Sequence, residues 1–275
     1  MRAHHSPQTT RVRHSSYMHY PRTESARVWE FFILPALILA ALSILLRFSG
    51  FFPATYTQVS LSDVGIASAF TVGRLLIAYI CAVICAVPLA LLATHSAILQ
   101  RFLLPLFDLL QSVPILAFFP VVIVLFLNIG SVNSAAIFIL FLSMLWNIVF
   151  ALIGGVGLIP RDIIYAAEVF GIRGVSYFTR VIIPAIVPQM VVGSILAMAQ
   201  GWNIIIVAEV VRTYLPATSP IQNLFGLGSM LVYASSHGQD GLFLAALTAC
   251  VCIIAIINFF VWQRLLKYAQ RFKFE

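Results

Sequence analysis

Along most of this chain the apolar positions do not alternate with polar ones; they run together. Six stretches, residues 29–46, 68–92, 114–132, 134–157, 182–211 and 241–263, are apolar on nearly every face, the pattern of helices surrounded by lipid or by one another. A helix needs roughly 20 such residues to cross a bilayer. Strands of a membrane barrel would alternate apolar with polar residues, whereas runs such as LLIAYICAVICAVPLALLA do not. Backbone polar groups in lipid must be paired within their own segment, so the pattern predicts an all-α, polytopic membrane bundle of six transmembrane helices.

Composition excludes a soluble domain. The chain is 61% hydrophobic and 9% charged, with a mean hydropathy of +1.02, whereas charged residues make up about 25% of soluble chains. A length of 275 residues suffices for one bundle. It divides into a basic tail, 1–27, and a transmembrane domain, 28–275.

Lys and Arg set the orientation, because short loops rich in them stay cytoplasmic. Arg2, Arg11, Arg13, Arg22 and Arg27 precede the first stretch, Arg101 follows the second, Arg161, Arg173 and Arg180 lie between the fourth and fifth, and Arg264, Lys267, Arg271 and Lys273 follow the last. Both termini are therefore expected in the cytoplasm. The net charge of +7 is accounted for by this topology and by anionic lipid headgroups, and nucleic-acid binding is not expected. The Arg-, Ser- and His-rich tail superficially resembles a transit peptide; a disordered cytoplasmic tail is the simpler reading. Its histidines lack the i, i+4 spacing of a metal site, so no metal is expected. Cys81, Cys85, Cys250 and Cys252 lie within apolar stretches, where thiols act as packing residues.

One charged segment interrupts the apolar pattern. In PRDIIYAAEVFG, Pro160 suits a first helical turn, Asp162 favours the positive end of a helix dipole, and Gly171 is a typical terminator. A short amphipathic helix is predicted at 160–171, with Ile163, Ala166, Ala167 and Phe170 on one face. It is either a surface connector or a helix shaped to sit in another protein's cleft.

The segment resembles the coupling loop of ATP-binding-cassette (ABC) importer permeases, whose pattern is Glu-Ala-Ala, three residues, Gly, nine residues, then aliphatic-x-Leu-Pro. Here Ala166, Ala167, Gly171, Val181, Ile183 and Pro184 fall in register, within a loop at about 159–181. Tyr165 occupies the Glu position, and Glu168, one turn on, is the candidate substitute. SVPILAFFPVVIVLFLNIG and GWNIIIVAEVV, with Trp202, Ala208 and Glu209, are similar to the branch that handles nitrate, bicarbonate, sulfonates and taurine. SMLWNIVF is similar to anion permeases in which the permease is duplicated within one chain.

The resemblance implies a type I importer permease in a bacterial inner membrane. Its partners are a second permease copy, most simply an identical one, a cytoplasmic ATPase dimer and a substrate-binding protein. No catalytic residue is expected, and no cofactor in this chain: ATP and Mg belong to the partner ATPase. The lysines, Lys267 and Lys273, sit in no phosphate-binding loop. The resemblance assigns ATPase coupling to Tyr165, Ala166, Ala167, Glu168, Phe170, Gly171, Arg173, Arg180 and Pro184.

Polar residues inside the membrane are costly and face a bundle interior or a watery cavity. Gln111, Ser112, Asn147, Gln200, Asn203 and Glu209 are therefore candidates for a substrate pathway, with Trp202 and Pro114 beside them; interhelical hydrogen bonding is the competing role. Glu209 fits a structural or gating role better than an anion ligand, since its charge would repel the substrate. Arg74 either pairs with an acid such as Asp108 or snorkels to a headgroup. Pro114 and Pro120 are the pair expected to leave backbone carbonyls unpaired near a cavity. A gradient-driven carrier or channel is the competing function. A membrane-embedded hydrolase is disfavoured because no His lies deep in a span.

Overall fold

A computed structural model describes residues 60–128, 132–211 and 223–272. The chain divides into two units, Met1–Thr55 and Tyr56–Glu275, and the described residues all belong to the second. The expected tail, the tail's boundary at 27/28 and the first expected span, 29–46, lie outside the described residues.

The second unit is helical, and no strand occurs among the described residues. Its elements are α1 (Leu61–Thr94), α2 (Ala97–Ser112), α3 (Ile115–Asn128), α4 (Val132–Gly157), α5 (Arg161–Val169), α6 (Val175–Glu209), α7 (Leu227–Ser236) and α8 (Asp240–Phe272). Four of these, α1, α4, α6 and α8, are long and apolar enough to cross a membrane, and α2 with α3 form a bent pair that makes a fifth span if counted as one.

Helix α4 is the centre of the bundle, packed between α1 and α6. The reason is legible in α1, where Ala78, Ala82, Ala86, Ala90 and Ala93 are all buried while Ile77, Ile80 and Ile84 are exposed. An alanine at every fourth position makes a narrow groove into which a neighbouring backbone can settle, and van der Waals contact is the main attraction between helices in lipid. The opposite, isoleucine-rich face suits acyl chains. Against α6 the approach is closer still. A Cβ placed on Gly193 would lie 3.2 Å from the Asn147 carbonyl oxygen and 3.3 Å from Ile148 Cα, so the crossing depends on hydrogen at that position.

The expected third span, 114–132, takes a different form. Val113 is extended, at ψ 126°, as a residue before proline prefers, and α2 and α3 meet at 83°. Of the two prolines suspected there, Pro114 makes the break and Pro120 sits inside α3. Helix α2 was not expected from the sequence, because Arg101 and Asp108 interrupt its apolar pattern; Ser96 caps it, accepting a hydrogen bond from the Leu99 N–H at 3.2 Å. Helix α7 was missed for its shortness. Helices α6 and α8 each contain one π-helical turn, Phe178–Ile182 and Asn258–Trp262.

Candidate functional site

Three places in the bundle collect polar or unpartnered groups. The first is a cavity of about 690 Å³ at the elbow between α2 and α3, walled also by α4 and α6. Of the expected pathway residues it gathers Gln111, Ser112, Pro114, Asn147 and Gln200. Ser143 joins them from the buried side of α4. Among the described residues no charged side chain lines this cavity. The Ser112 and Ser143 hydroxyls donate to the carbonyls of Asp108 and Leu140, each at 2.7 Å, and Asn147 Nδ2 donates to the Ser143 carbonyl at 3.3 Å. Each hydroxyl thus spends its proton on its own helix, whereas an amide NH₂ carries a second donor. Because α3 begins at the elbow, the Ala117 N–H closes onto the Pro114 carbonyl at 2.9 Å, while the N–H groups of Ile115 and Leu116, which line the cavity, precede any intrahelical acceptor.

Trp202, Asn203 and Glu209 are outside this wall. Trp202 is half-buried and packs between two apolar clusters, and Asn203 is exposed.

Glu209 builds the second place. It is fully buried at the end of α6, and its Oε1 accepts from Arg74 Nη1 at 2.8 Å and from the Thr71 hydroxyl at 2.7 Å, both on α1. Its Oε2 accepts from the backbone N–H of Gly228 at 2.7 Å and of Ser229 at 3.3 Å. Thr71 in turn accepts from the N–H of Leu227 at 2.8 Å. Helix α7 has no side-chain cap of its own, so Thr71 and Glu209 satisfy its first turn from two other helices. A carboxylate at a helix N-terminus also complements the macrodipole. Arg74 completes the arrangement with Asn133 Oδ1 at 2.6 Å and the Phe225 carbonyl at 3.0 Å. Of the alternatives open for Arg74, the structure selects an acid, and it is Glu209; Asp108 is exposed. The signal available in the sequence was general: a buried acid and a buried base in lipid must find each other.

The third place is α5 and the turn after it. The helix ends with the Gly171 N–H on the Glu168 carbonyl at 3.0 Å and the Ile172 N–H on the Ala167 carbonyl at 2.9 Å. This is a Schellman closure, and it needs the left-handed φ of 66° that Gly171 adopts. The helix is shorter than 160–171, and its inner face differs from the expected one. Ala167 is buried and Ile163 and Ile164 half-buried against the core, while Ala166 and Phe170 point outward. The physical reason is the 100° step: the face centred on Ala167 carries Ile163 and Ile164, and Phe170 lies beyond the last turn. Ala167 therefore belongs to the chain's own packing. Beside the exposed Arg161, Asp162, Glu168 and Arg173, the outward surface presents large apolar groups, with Val169 84%, Phe170 79% and Val175 80% exposed and Tyr165 beside them. Glu168, Arg173 and Arg180 form no ion pair among the described residues, and Pro184 is half-buried. No group of three or more His, Cys, Asp or Glu that could hold a metal occurs among the described residues.

Comparison with known proteins gives this arrangement a family. Residues 78–267 match the family described as binding-protein-dependent transport system inner membrane component. The nitrate import permease protein NrtB of Leptolyngbya laminosa is 32% identical over 136 residues, 50% of this chain and 48% of that protein. A chain of Methanocaldococcus jannaschii assigned as an ABC transporter permease is 26% identical over 210 residues, 72% of this chain and 73% of its own length. The bicarbonate transport system permease protein CmpB of a Synechocystis species is 30% identical over 143 residues, 52% of this chain and 50% of that protein. The matched stretch spans about half the length of the nitrate and bicarbonate relatives. The match to the family covers more than half of the chain, and the chain belongs to the binding-protein-dependent transport system inner membrane components, the permeases of ABC importers.

Proposed function

We propose that this chain forms the membrane pathway of an ATP-driven importer for a small inorganic or organic oxyanion, such as nitrate, bicarbonate or a sulfonate. It works as a pair of permeases, most simply two identical copies, in a bacterial inner membrane with both termini cytoplasmic. A substrate-binding protein delivers the anion from outside, and a cytoplasmic ATPase dimer holds the ATP and Mg. ATP hydrolysis is a partner's task, since neither lysine of the chain sits in a phosphate-binding loop. The observation that carries the reading is α5: it is packed onto the core through Ile163 and Ile164, with Ala167 buried, yet presents Tyr165, Val169 and Phe170 to whatever lies beyond the bundle. A helix held on one side and offering apolar groups on the other acts as a lever when a partner's cleft closes around it.

The cavity at the elbow suits an anion in transit. Amide donors from Gln111, Asn147 and Gln200 and the first N–H groups of α3 offer hydrogen bonds without a fixed positive charge. Binding is then favourable enough for entry and weak enough for release. The names of the nitrate and bicarbonate relatives support the substrate class.

The test is reconstitution of the chain with its ATPase and binding protein in liposomes, with and without Gly171→Trp. A Cβ at Gly171 meets nothing within 4 Å, so the variant should assemble into the membrane, keep basal ATP hydrolysis and lose anion uptake. Uptake at the normal rate in the variant, or uptake driven by an ion gradient without the ATPase, would overturn the reading in favour of a secondary carrier.

A further inference from the structure

The end of the bundle that bears α5 holds two more hollows, and the proposed pathway uses neither. One, of about 250 Å³, has Arg180 and Arg271 in its wall together with Ile163, Pro184, Ala185 and Phe272. The other, of about 320 Å³, shares Ala185 and Phe272 and is otherwise lined by Gly155, Leu158, Pro160, Pro188 and Gln189. Phe272 and Ala185 thus form a common partition between a cationic chamber and a mostly apolar one.

The two arginines come from distant parts of the sequence and are held differently. Arg180 projects from the π-helical turn that opens α6. Arg271 lies in the 3₁₀ turn that ends α8, with its guanidinium 5.9 Å from the centre of the Tyr268 ring. Among the described residues no acidic side chain lines the chamber they share, and neither forms an ion pair. Two guanidinium groups facing one hollow without a counter-charge repel each other, and an anion between them removes that cost.

The order of the hollows along α6 narrows the choice of anion. Arg180 and Pro184 come before Pro188 and Gln189, so along α6 the apolar chamber reaches about 12 Å beyond Arg180, while Leu158 and Pro160 bring its other wall to the loop before α5. A charged chamber that shares a wall with an apolar one has the polarity of a lipid headgroup beside its acyl chain. We propose that this pair of hollows binds an anionic phospholipid, its phosphate between Arg180 and Arg271 and one acyl chain along Pro188 and Gly155. A free phosphate shares the headgroup chemistry but leaves the apolar chamber unused. Arg180 thereby moves from the coupling surface to a site that ties the end of α8 to the start of α6. The inference requires only that this end of the bundle meets a membrane surface, whichever partner drives transport.

The test is native mass spectrometry of the full chain released from nanodiscs of phosphatidylglycerol and phosphatidylcholine, compared with Arg180→Gln/Arg271→Gln. Phosphatidylglycerol should remain bound to the wild type and be lost by about ten-fold in the double variant, with phosphatidylcholine retention equal in both. Arg180→Lys/Arg271→Lys, which keeps the charge, should recover most of the retention, and Arg264→Gln, outside both hollows, should change nothing. Retention that falls equally in Arg264→Gln, or that is unaffected in the double variant, overturns the proposal. So does displacement of the lipid by inorganic phosphate at equal concentration, which assigns the chamber to a free anion. Unchanged lipid retention with lost ATPase association assigns the arginines to the protein partner. None of these readouts depends on transport, so failure of the lipid site and failure of the importer reading are separable.

Discussion

Arg74 and Glu209, 135 residues apart in sequence, meet at 2.8 Å between Nη1 and Oε1 with 7% and 0% of their side chains exposed. The pair is one edge of a junction in which α1 and α6 together cap the first turn of α7. Its members are unequal. Without Arg74, Glu209 still accepts from Thr71, Gly228 and Ser229; without Glu209, Arg74 keeps its full charge against two neutral oxygens.

Glu209→Ala should therefore destabilise the bundle by about 3–5 kcal/mol, the usual cost of a buried charge left alone, and Arg74→Met by distinctly less. The double variant should recover part of the loss but not all, because the N–H groups of Gly228 and Ser229 remain uncapped at about 1–3 kcal/mol. Thermal unfolding in nanodiscs, read as a double-mutant cycle, checks this; simple additivity would falsify the coupling.

Two glycines should respond in opposite ways to a methyl group. At Gly228 a Cβ would lie 2.8 Å from Ile206 Cα and 2.9 Å from Glu209 Oε2, and backbone cannot step aside, so Gly228→Ala should cost about 1–3 kcal/mol. Gly171 has open space, and Gly171→Ala should cost only the strain of a left-handed residue, about 1–2 kcal/mol confined to one turn. The unfolding temperature should fall in the first and stay nearly constant in the second, since the turn at Gly171 can fray without loosening the core. A reversed order is the result to look for as refutation.

In the cavity, Asn147→Leu and Gln200→Leu should leave stability within about 0.5 kcal/mol, as both side chains sit at a half-open wall. Each should slow anion uptake by about ten-fold, the worth of one hydrogen bond. Uptake assays beside thermal shifts separate the two effects. Unimpaired uptake in both variants would remove these amides from the pathway.

On α5, Phe170→Asp and Val169→Asp replace exposed apolar groups and should leave the bundle's unfolding unchanged while weakening ATPase association by at least about ten-fold. Ala167→Trp should do the reverse in origin: it forces a large ring into a buried position and dislodges the helix itself. Hydrogen exchange over residues 161–172 distinguishes them, with protection kept in the aspartate variants and lost in the tryptophan one.

Helix class, the long spans and the short helix α5 were legible in the sequence because each rests on local pattern: runs of apolar residues, a Pro–Gly bracket and a charged helix between them. Gln111, Ser112, Asn147 and Gln200 could be suspected singly, since polar side chains are expensive in lipid wherever they fall. That they line one cavity could not be read, because it depends on the 83° elbow at Val113–Pro114. That elbow is a tertiary decision: a proline permits a break but does not set its angle. The inner face of α5 was misjudged for a related reason, as Phe170 is apolar enough for a core and is exposed only because the helix stops before it.

The sequence by itself determined that this chain lives in a membrane as helices and carries a short helix between Pro160 and Gly171, since hydropathy and backbone pairing are satisfied segment by segment. Only the tertiary structure decided that Arg74 answers Glu209 rather than Asp108, and that two arginines share one hollow. Such pairings are fixed by where helices cross. The crossings follow from small residues such as Ala82 and Gly193, whose fit against a neighbour exists only after the whole bundle has assembled.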